Sequence, residues 1–333
     1  MSLSSPRPEL ASLPLARPSG AETPAFSVLD GGISTLLARA GVDLHHPLWT
    51  ARALLERPDA LVAVHTAYAE AGAEFLCTAS YQLSFEGLAQ IGMDDAAAAE
   101  LFARSARCVR EALAGSGREA IVVGSLGSWG ACAADGSEYR GDYARARAEL
   151  LDFHRARVDA LAPHVDMLAF ETIPNRLEVE VLCELLCETD APPAWISMPL
   201  APGGEGSPRM ADGTPLSQLA ESLAGWSGLR RRLAGLGVNC CPPRRVAAAL
   251  HALNEGWTTA ETRPAWVAYP NAGERWADGE WRGEATTPSD FAAYAQEWLA
   301  AGAALIGSCC RTDDEHTRAL ADLAHRENGH MQR

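Results

Sequence analysis

VDMLAFETIPNRLEVEVLCELLCETDAPPAWISM, residues 165–198, contains the unit from which the chain is built. Val165–Phe170 is a short, continuous apolar run of strand length, closed by the polar Glu171. Leu177–Glu188 follows with apolar residues at helical spacing, just after Pro174 and Asn175, and Ala194–Met198 is a second apolar run. Short unbroken apolar runs flanking a helical segment read as two parallel strands, buried on both faces, joined by a crossover helix.

The same alternation extends in both directions. Apolar runs recur at Phe26–Leu29, Glu74–Thr78, Ala120–Gly124, Leu236–Asn239, Ala265–Tyr269 and Ala303–Gly307, which makes eight with the two above. Segments of helical period lie between them at Leu54–Gly72, Asp95–Leu113, Asp142–Leu161, Pro215–Ala224, Pro243–Leu253, Pro288–Ala301 and Asp313–Ala324. Several open on Pro or Asp, as helix N-termini do. Eight strand–helix units in roughly 300 residues predict an α/β fold, a closed (β/α)8 TIM-type barrel. An open doubly wound sheet is disfavoured, because no Gly-rich dinucleotide turn follows the first strand. A single barrel domain over 25–333 is expected. It is preceded by a Pro-, Ser- and Ala-rich stretch, 1–24, that reads as a flexible tail.

Composition narrows the chemistry. With 333 residues, 47% of them hydrophobic, the chain can bury a large core. A net charge of −15, from 43 acidic and 28 basic residues, argues against a nucleic-acid partner. All 28 basic residues are Arg. The absence of Lys excludes Schiff-base lysines, pyridoxal-phosphate anchors, Walker-A lysines and kinase-type lysines. No apolar run is long enough to span a membrane, and the first residues lack the apolar segment of a secretory signal. Nine irregularly spaced Cys suit a reduced, cytoplasmic protein better than a disulfide framework.

Long connections leave the strand ends, at Leu126–Gly141, Pro199–Thr214 and Pro270–Thr287, whereas Gly302 alone precedes Ala303. In such barrels the loops after the strands build the active site. The residues there are polar and reactive: Asp30, Thr78, Ser80, Ser125, Glu171, Ser197, Asn239, Cys240, Asn271, Cys309 and Cys310. Cys240 follows the sixth strand and the Cys309–Cys310 pair follows the eighth, so they are expected to face one another across the barrel mouth. Three converging thiolates suit Zn²⁺ with an open fourth position, the mark of a catalytic metal. Spacing alone also allows core packing of the adjacent cysteines or a vicinal disulfide, and it does not choose between Cys240 and Cys241. Cys183 and Cys187, one helical turn apart, read as core, as do Cys77 and Cys108. Cys132 lies in a long rim loop with no base near it. His45 and His46 read as solvated, His65 and His154 as packing or surface residues. Arg231, Arg232, Arg244 and Arg245 read as helix-end charges.

Gly237-Val238-Asn239-Cys240 and Gly307-Ser308-Cys309-Cys310-Arg311-Thr312 resemble the homocysteine S-methyltransferase family. Leu29-Asp30-Gly31-Gly32, Thr78-Ala79-Ser80-Tyr81-Gln82, Asp135-Gly136-Ser137-Glu138-Tyr139, Phe170-Glu171-Thr172-Ile173-Pro174 and Tyr269-Pro270-Asn271-Ala272-Gly273-Glu274 match it in the same order, from about Phe26 onward. The resemblance implies a β/α barrel with zinc held by Cys240, Cys309 and Cys310, which favours Cys240 over Cys241. It implies methyl transfer from S-methylmethionine to L-homocysteine, with S-adenosylmethionine as a second donor and seleno-amino acids as further acceptors. The chain ends soon after its eighth helix, without the C-terminal segment of the betaine-using branch, which points to a sulfonium donor. Glu171 and Asp30 are then the carboxylates for the substrate α-ammonium, and Asn239 orients Cys240 or the substrate. Ser80 and Asn271 are expected to contact substrate, and Tyr81 and Trp129 to offer aromatic faces to the sulfonium. The partners are small molecules. Ser308 departs from the family, which has glycine there; a positive φ at that position would strain the loop. Two readings from other classes are a non-catalytic zinc or thiol sensor and a hydrolase using Glu171 and Asp30. The hydrolase leaves the cysteines unexplained.

Overall fold

In the computed structural model, residues 26–43, 50–203, 206–226, 228–277 and 280–331 are described. The 1–24 segment, His45 and His46 lie outside them. Ten strands follow in chain order: β1 (Ser27–Val28), β2 (Phe75–Cys77), β3 (Ile121–Gly127), β4 (Met167–Glu171), β5 (Ala194–Met198), β6 (Leu233–Asn239), β7 (Ala265–Tyr269), β8 (Arg275–Ala277), β9 (Glu280–Arg282) and β10 (Ala303–Ile306). Eight are parallel neighbours in the order β1-β10-β7-β6-β5-β4-β3-β2. The two ends of that series meet. Leu29 bridges Phe75 in parallel, Glu74 N donates to Val28 O (2.8 Å) and Asp30 N to Phe75 O (3.1 Å). The eight-stranded barrel expected from the alternation is therefore present.

Side chains alternate between the two faces of a strand, so each strand feeds two cores. Leu29, Phe75, Cys77, Val123, Met167, Ala169, Trp195, Val267, Tyr269 and Leu305 fill the barrel interior. Their sequence neighbours Leu76, Val122, Leu168, Phe170, Ile196 and Ala268 join the larger core beneath the helices, as does Val238 of β6. Trp195 lies edge-on to both Phe75 and Tyr269, at centroid distances of 6.4 Å. Gly235 makes room for it: a Cβ there would stand 2.9 Å from Trp195 Cβ and 2.7 Å from Val267 Cγ2.

Several boundaries differ from the sequence expectation. The segment 54–72 is two helices, Thr50–Glu56 and Pro58–Glu70, because Pro58 ends the first and starts the second. β3 runs on to Gly127, since Ser125–Gly127 pair with Ala169–Glu171, and β6 begins at Leu233, which pairs with Ala194. The β3 extension is Ser125-Leu126-Gly127, which carries no apolar run, and the β6 extension adds Leu233-Ala234-Gly235 ahead of the run at Leu236. The helix expected from Asp142 starts at Arg147. Asp142 is bound by Arg140 and the Tyr143 hydroxyl by Glu178, and these contacts hold the preceding residues out of the helix. A β8–β9 hairpin lies in the loop after β7. Of the pair expected in the core, Cys183 is buried but Cys187 is exposed, being in the last turn of helix Arg176–Glu188. His65 and His154 are both fully buried. Among the described residues no helix is long and apolar enough to cross a membrane.

Two buried polar nodes tie the rim loops to this frame. Arg157, 1% exposed, donates from Nε to Leu83 O (2.8 Å), from Nη1 to Gly127 O (2.7 Å) and from Nη2 to Tyr81 O (2.8 Å). Its planar fork thus fastens the loop after β2 to the end of β3. Glu178, also buried, accepts from Trp129 N (2.8 Å) and from the Tyr143 hydroxyl, and pairs with His154 Nε2 (2.8 Å). Arg157→Ala removes a donor from three buried carbonyls, of which Tyr81 O keeps Gly127 N (2.9 Å), and is expected to cost on the order of 3 kcal/mol. A lower urea midpoint with unchanged slope is the expected result. Arg157→Lys should recover only part of the loss, because an ammonium lacks the planar fork.

Candidate metal and substrate site

Cys240 directly follows β6, and Cys309 and Cys310 follow β10. β6 and β10 are the two neighbours of β7 in the barrel. The thiols therefore do not oppose one another across the mouth, as their positions in sequence suggested; they flank the end of a single strand. That strand end joins both loops. Cys240 N donates to Tyr269 O (3.2 Å) and Asn271 N to Cys241 O (3.1 Å) on one side. On the other, Cys309 N donates to Pro270 O (2.8 Å) and Ala272 N to Cys310 O (3.1 Å).

The result is a compact sulfur cluster. Cys240 Sγ is 3.5 Å from Cys310 Sγ, Cys309 Sγ is 3.9 Å from Cys310 Sγ, and all three lie within 4.8 Å of one another. All nine cysteines are free, so the vicinal pair is not a disulfide. Cys240 has φ +46°, in the left-handed region that side-chain-bearing residues rarely occupy, the kind of strain that clusters at functional sites. Cys241 points into the outer core. Hydrogen bonds from Cys240 and then Cys309 hold the Cys310 thiol well below its usual range. Three sulfurs in mutual reach form a metal site suited to thiolate-binding ions.

The other strand ends supply carboxylates. Glu171 continues the inward series Met167, Ala169 of β4. It accepts a hydrogen bond from the Ser125 hydroxyl, and the nearby Tyr269 hydroxyl, which also lowers its pKa, is held by Trp195 Nε1 (3.1 Å) and Ser197. Burial pushes the Glu171 carboxyl up to about 7. Asp30, 3% exposed, accepts from Cys77 N at 2.7 Å, and burial raises its pKa well above the usual range. The Ser80 hydroxyl donates to Ser125 O (2.7 Å) and lies 2.6 Å from that of Thr78, which accepts from Ser125 N (3.0 Å). Both ends of the Asn239 amide go to Thr172: Oδ1 accepts from its N–H (3.0 Å) and Nδ2 donates to its hydroxyl (2.8 Å). Thr172 has φ +57°, so this clasp fixes the turn just after Glu171. Asn271 Oδ1 accepts from Gly273 N (2.9 Å) and shapes the turn after β7.

The first strand's loop lies directly on the cysteine loop. Ser308 N donates to Asp30 O (3.1 Å), and Gly32 N to the Thr312 hydroxyl (3.3 Å). A Cβ on Gly32 would meet Cys309 O at 2.6 Å, and one on Gly31 the Ser308 hydroxyl at 2.8 Å. Ser308 does not have a positive φ, so serine in place of glycine introduces no backbone strain. Arg311, at φ +68°, forms a two-bond ion pair with the buried Glu274 (3.0 and 3.3 Å).

Two residues given no role in the sequence reach the cluster from the loop after β3. Tyr139 acts to lower the pKa of the Cys240 thiol, and Glu138 to raise that of Cys310. Their only signal was membership of the 135–139 motif. The Tyr81 hydroxyl lies near Thr172, which lowers its pKa against the burial that raises it. Trp129 opens the short helix Trp129–Ala133, with its ring 5.2 Å from that of Tyr143 and beneath the Arg145 guanidinium at 4.0 Å.

Comparison with known proteins agrees over nearly the whole chain. Residues 27–324 match the family model described as homocysteine S-methyltransferase. The chain is 38% identical to homocysteine S-methyltransferase YbgG of Bacillus subtilis, over 91% of this chain and 96% of that protein. It is 37% identical to homocysteine S-methyltransferase 3 of Arabidopsis thaliana, over 90% of this chain and 89% of the relative. The metallated form of the homocysteine methyltransferase MmuM from Escherichia coli superposes with a TM-score of 0.76 at 37% identity, covering 90% of this chain and 96% of that one.

Gly32→Ala is expected to displace the Cys309 loop, lowering metal affinity in a chelator competition while circular dichroism stays unchanged. A second test uses the metal-free protein. Since Glu171 is protonated up to about 7 when folded but only to its ordinary value of 4.5 otherwise, the folded state holds the extra proton between those values. Stability from this group is present below the window and falls as pH rises through it, by about 3 kcal/mol. Glu171→Gln should lack this fall, so denaturant unfolding of the two proteins diverges toward pH 7, the variant becoming relatively more stable.

Proposed function

The chain belongs to the homocysteine S-methyltransferase family, and on that premise we propose that it moves a methyl group from S-methylmethionine to the thiol of L-homocysteine. Donor and acceptor both become methionine, and the thiol proton is released. The observation that carries this reading is the three-sulfur cluster placed beside buried carboxylates. Cys240, Cys309 and Cys310 would hold zinc. Bound zinc lowers the pKa of a coordinated thiol, about 8.5 when free, so that the acceptor sulfur is a nucleophilic thiolate at neutral pH.

The chain's own residues do the rest. Three cysteine thiolates keep the site electron-rich, which favours attack on a methyl group carried by a cation. Glu171 and Asp30 receive the α-ammonium of homocysteine, and its approach offsets the burial that raises their pKa values. Ser125 and Tyr269 hold the Glu171 carboxylate in place, and the Asn239–Thr172 clasp fixes the turn that follows it. Ser80 and Asn271 shape the pocket walls through their backbone partners, and Tyr81 offers its ring to the sulfonium. Trp129 braces the adjoining loop. Leaving the acceptor thiolate poised removes the need for a general base, so positioning and electrostatics supply the rate.

Purified, reduced, zinc-loaded protein given homocysteine and S-methylmethionine is expected to form methionine, and a chelator should stop it. Cys309→Ser should abolish both zinc retention and transfer. Full activity in that variant would overturn the zinc mechanism. Bound zinc with no methionine from any sulfonium would favour the sensor reading.

A further inference from the structure

One carboxylate at the mouth is not accounted for by the acceptor. Glu138 lies in the single turn Ser137–Tyr139 of the loop after β3, and its Oε2 is buried without a hydrogen-bond partner. Gly130 lets this loop lie close to the barrel, since a Cβ there would come within 2.8 Å of Glu138 N and 2.7 Å of the Ser137 hydroxyl. The field of Glu138 acts on Cys310 and on Tyr81, and that of Cys240 acts on Glu138. Its carboxyl oxygens do not join the group of three sulfurs.

Among the described residues, no cation on a neighbouring segment makes a hydrogen bond or ion pair with Glu138, although Arg140 is near enough to act on it through space. Arg140 pairs with Asp142 and donates to Asp135 O, and Arg311 pairs with Glu274. Arg157 is spent on three carbonyls, and Arg145 sits over Trp129. Glu138 is half-buried beside three thiols with one oxygen unpartnered, and its charged form is stabilised when a cation is brought to it. The ammonium of homocysteine already has Glu171 and Asp30. What remains is the positive charge of the methyl donor.

We propose that Glu138 binds the cationic methyl donor and makes the enzyme selective for sulfonium amino acids. The inference rests on the methyl-transfer reading above and goes beyond it, because it divides the mouth into an acceptor side, Glu171 and Asp30, and a donor side, Glu138 with the rings of Tyr81 and Tyr139. Donor binding then neutralises the acidic wall as it brings the methyl group toward the acceptor sulfur.

The test compares zinc-loaded wild type, Glu138→Gln and Glu138→Asp, with S-methylmethionine and homocysteine varied separately. Loss of one charge-assisted contact is expected to lower kcat/KM for S-methylmethionine by about 10- to 100-fold. The KM for homocysteine should stay within about twofold and zinc retention against a chelator should not change. Glu138→Asp should recover part of the loss. Calorimetric titration of S-methylmethionine without homocysteine should show the same weakening in Glu138→Gln. A rise in the homocysteine KM instead would place Glu138 on the acceptor side, and loss of zinc would make it a ligand. Unchanged donor binding would remove the donor site altogether. Each of these overturns the inference. A wild-type protein that makes no methionine defeats the methyl-transfer reading, while the calorimetry still decides whether Glu138 takes a sulfonium.

Discussion

The end of β7, Tyr269 to Ala272, is the piece on which the site depends. It lies between the loops after β6 and β10 and is joined to each by two backbone hydrogen bonds. Cys240 on one side and Cys309 with Cys310 on the other are thereby held within a few ångströms despite their separation in sequence. Neighbouring strands lie about 4.8 Å apart, so loops flanking a common strand are near enough for their side chains to converge. Tyr269 in the same segment also reaches Glu171, which couples the metal site to the carboxylate floor.

The electrostatic character of the mouth follows from what is absent as much as from what is present. Glu171, Asp30 and Glu138 approach a cluster of three thiols, and the nearby arginines are engaged by other carboxylates, backbone carbonyls or an aromatic ring. Burial raises the pKa of each of the three carboxyls, for Glu138 against the smaller opposing pull of Arg140. Such a site is poorly stabilised when empty and suits contents that carry positive charge: a divalent metal, an ammonium and a sulfonium.

Holding that arrangement requires support outside it. The Arg157 fork and the Glu178 node with His154, Tyr143 and Trp129 anchor the loops after β2 and β3, which carry Tyr81, Glu138 and Tyr139. Neither node touches the sulfurs. Close approach also depends on missing side chains: Gly31, Gly32 and Gly307 let the first strand's loop lie on the cysteine loop. The substitution to Ser308 is accommodated because its backbone does not need the left-handed region.

The barrel was legible because apolar runs and helical periods repeat eight times, and side-chain alternation is a local property that composition displays directly. The reactive residues at strand ends were legible for the same reason, since a polar residue terminating an apolar run marks the rim. Elements whose pairing carries no apolar signal were not: the polar end of β3 at Ser125–Gly127, and the extended residues before Arg147. Tertiary structure alone decided that the cysteines share one strand end, that Asn239 clasps Thr172, and that Glu138 and Tyr139 belong to the mouth. Those facts depend on which strands neighbour one another and on where long loops fold back. Sequence thus determined the period and the inventory of groups at the rim, whereas their distances and partners are set by barrel closure and loop packing, which no local pattern encodes.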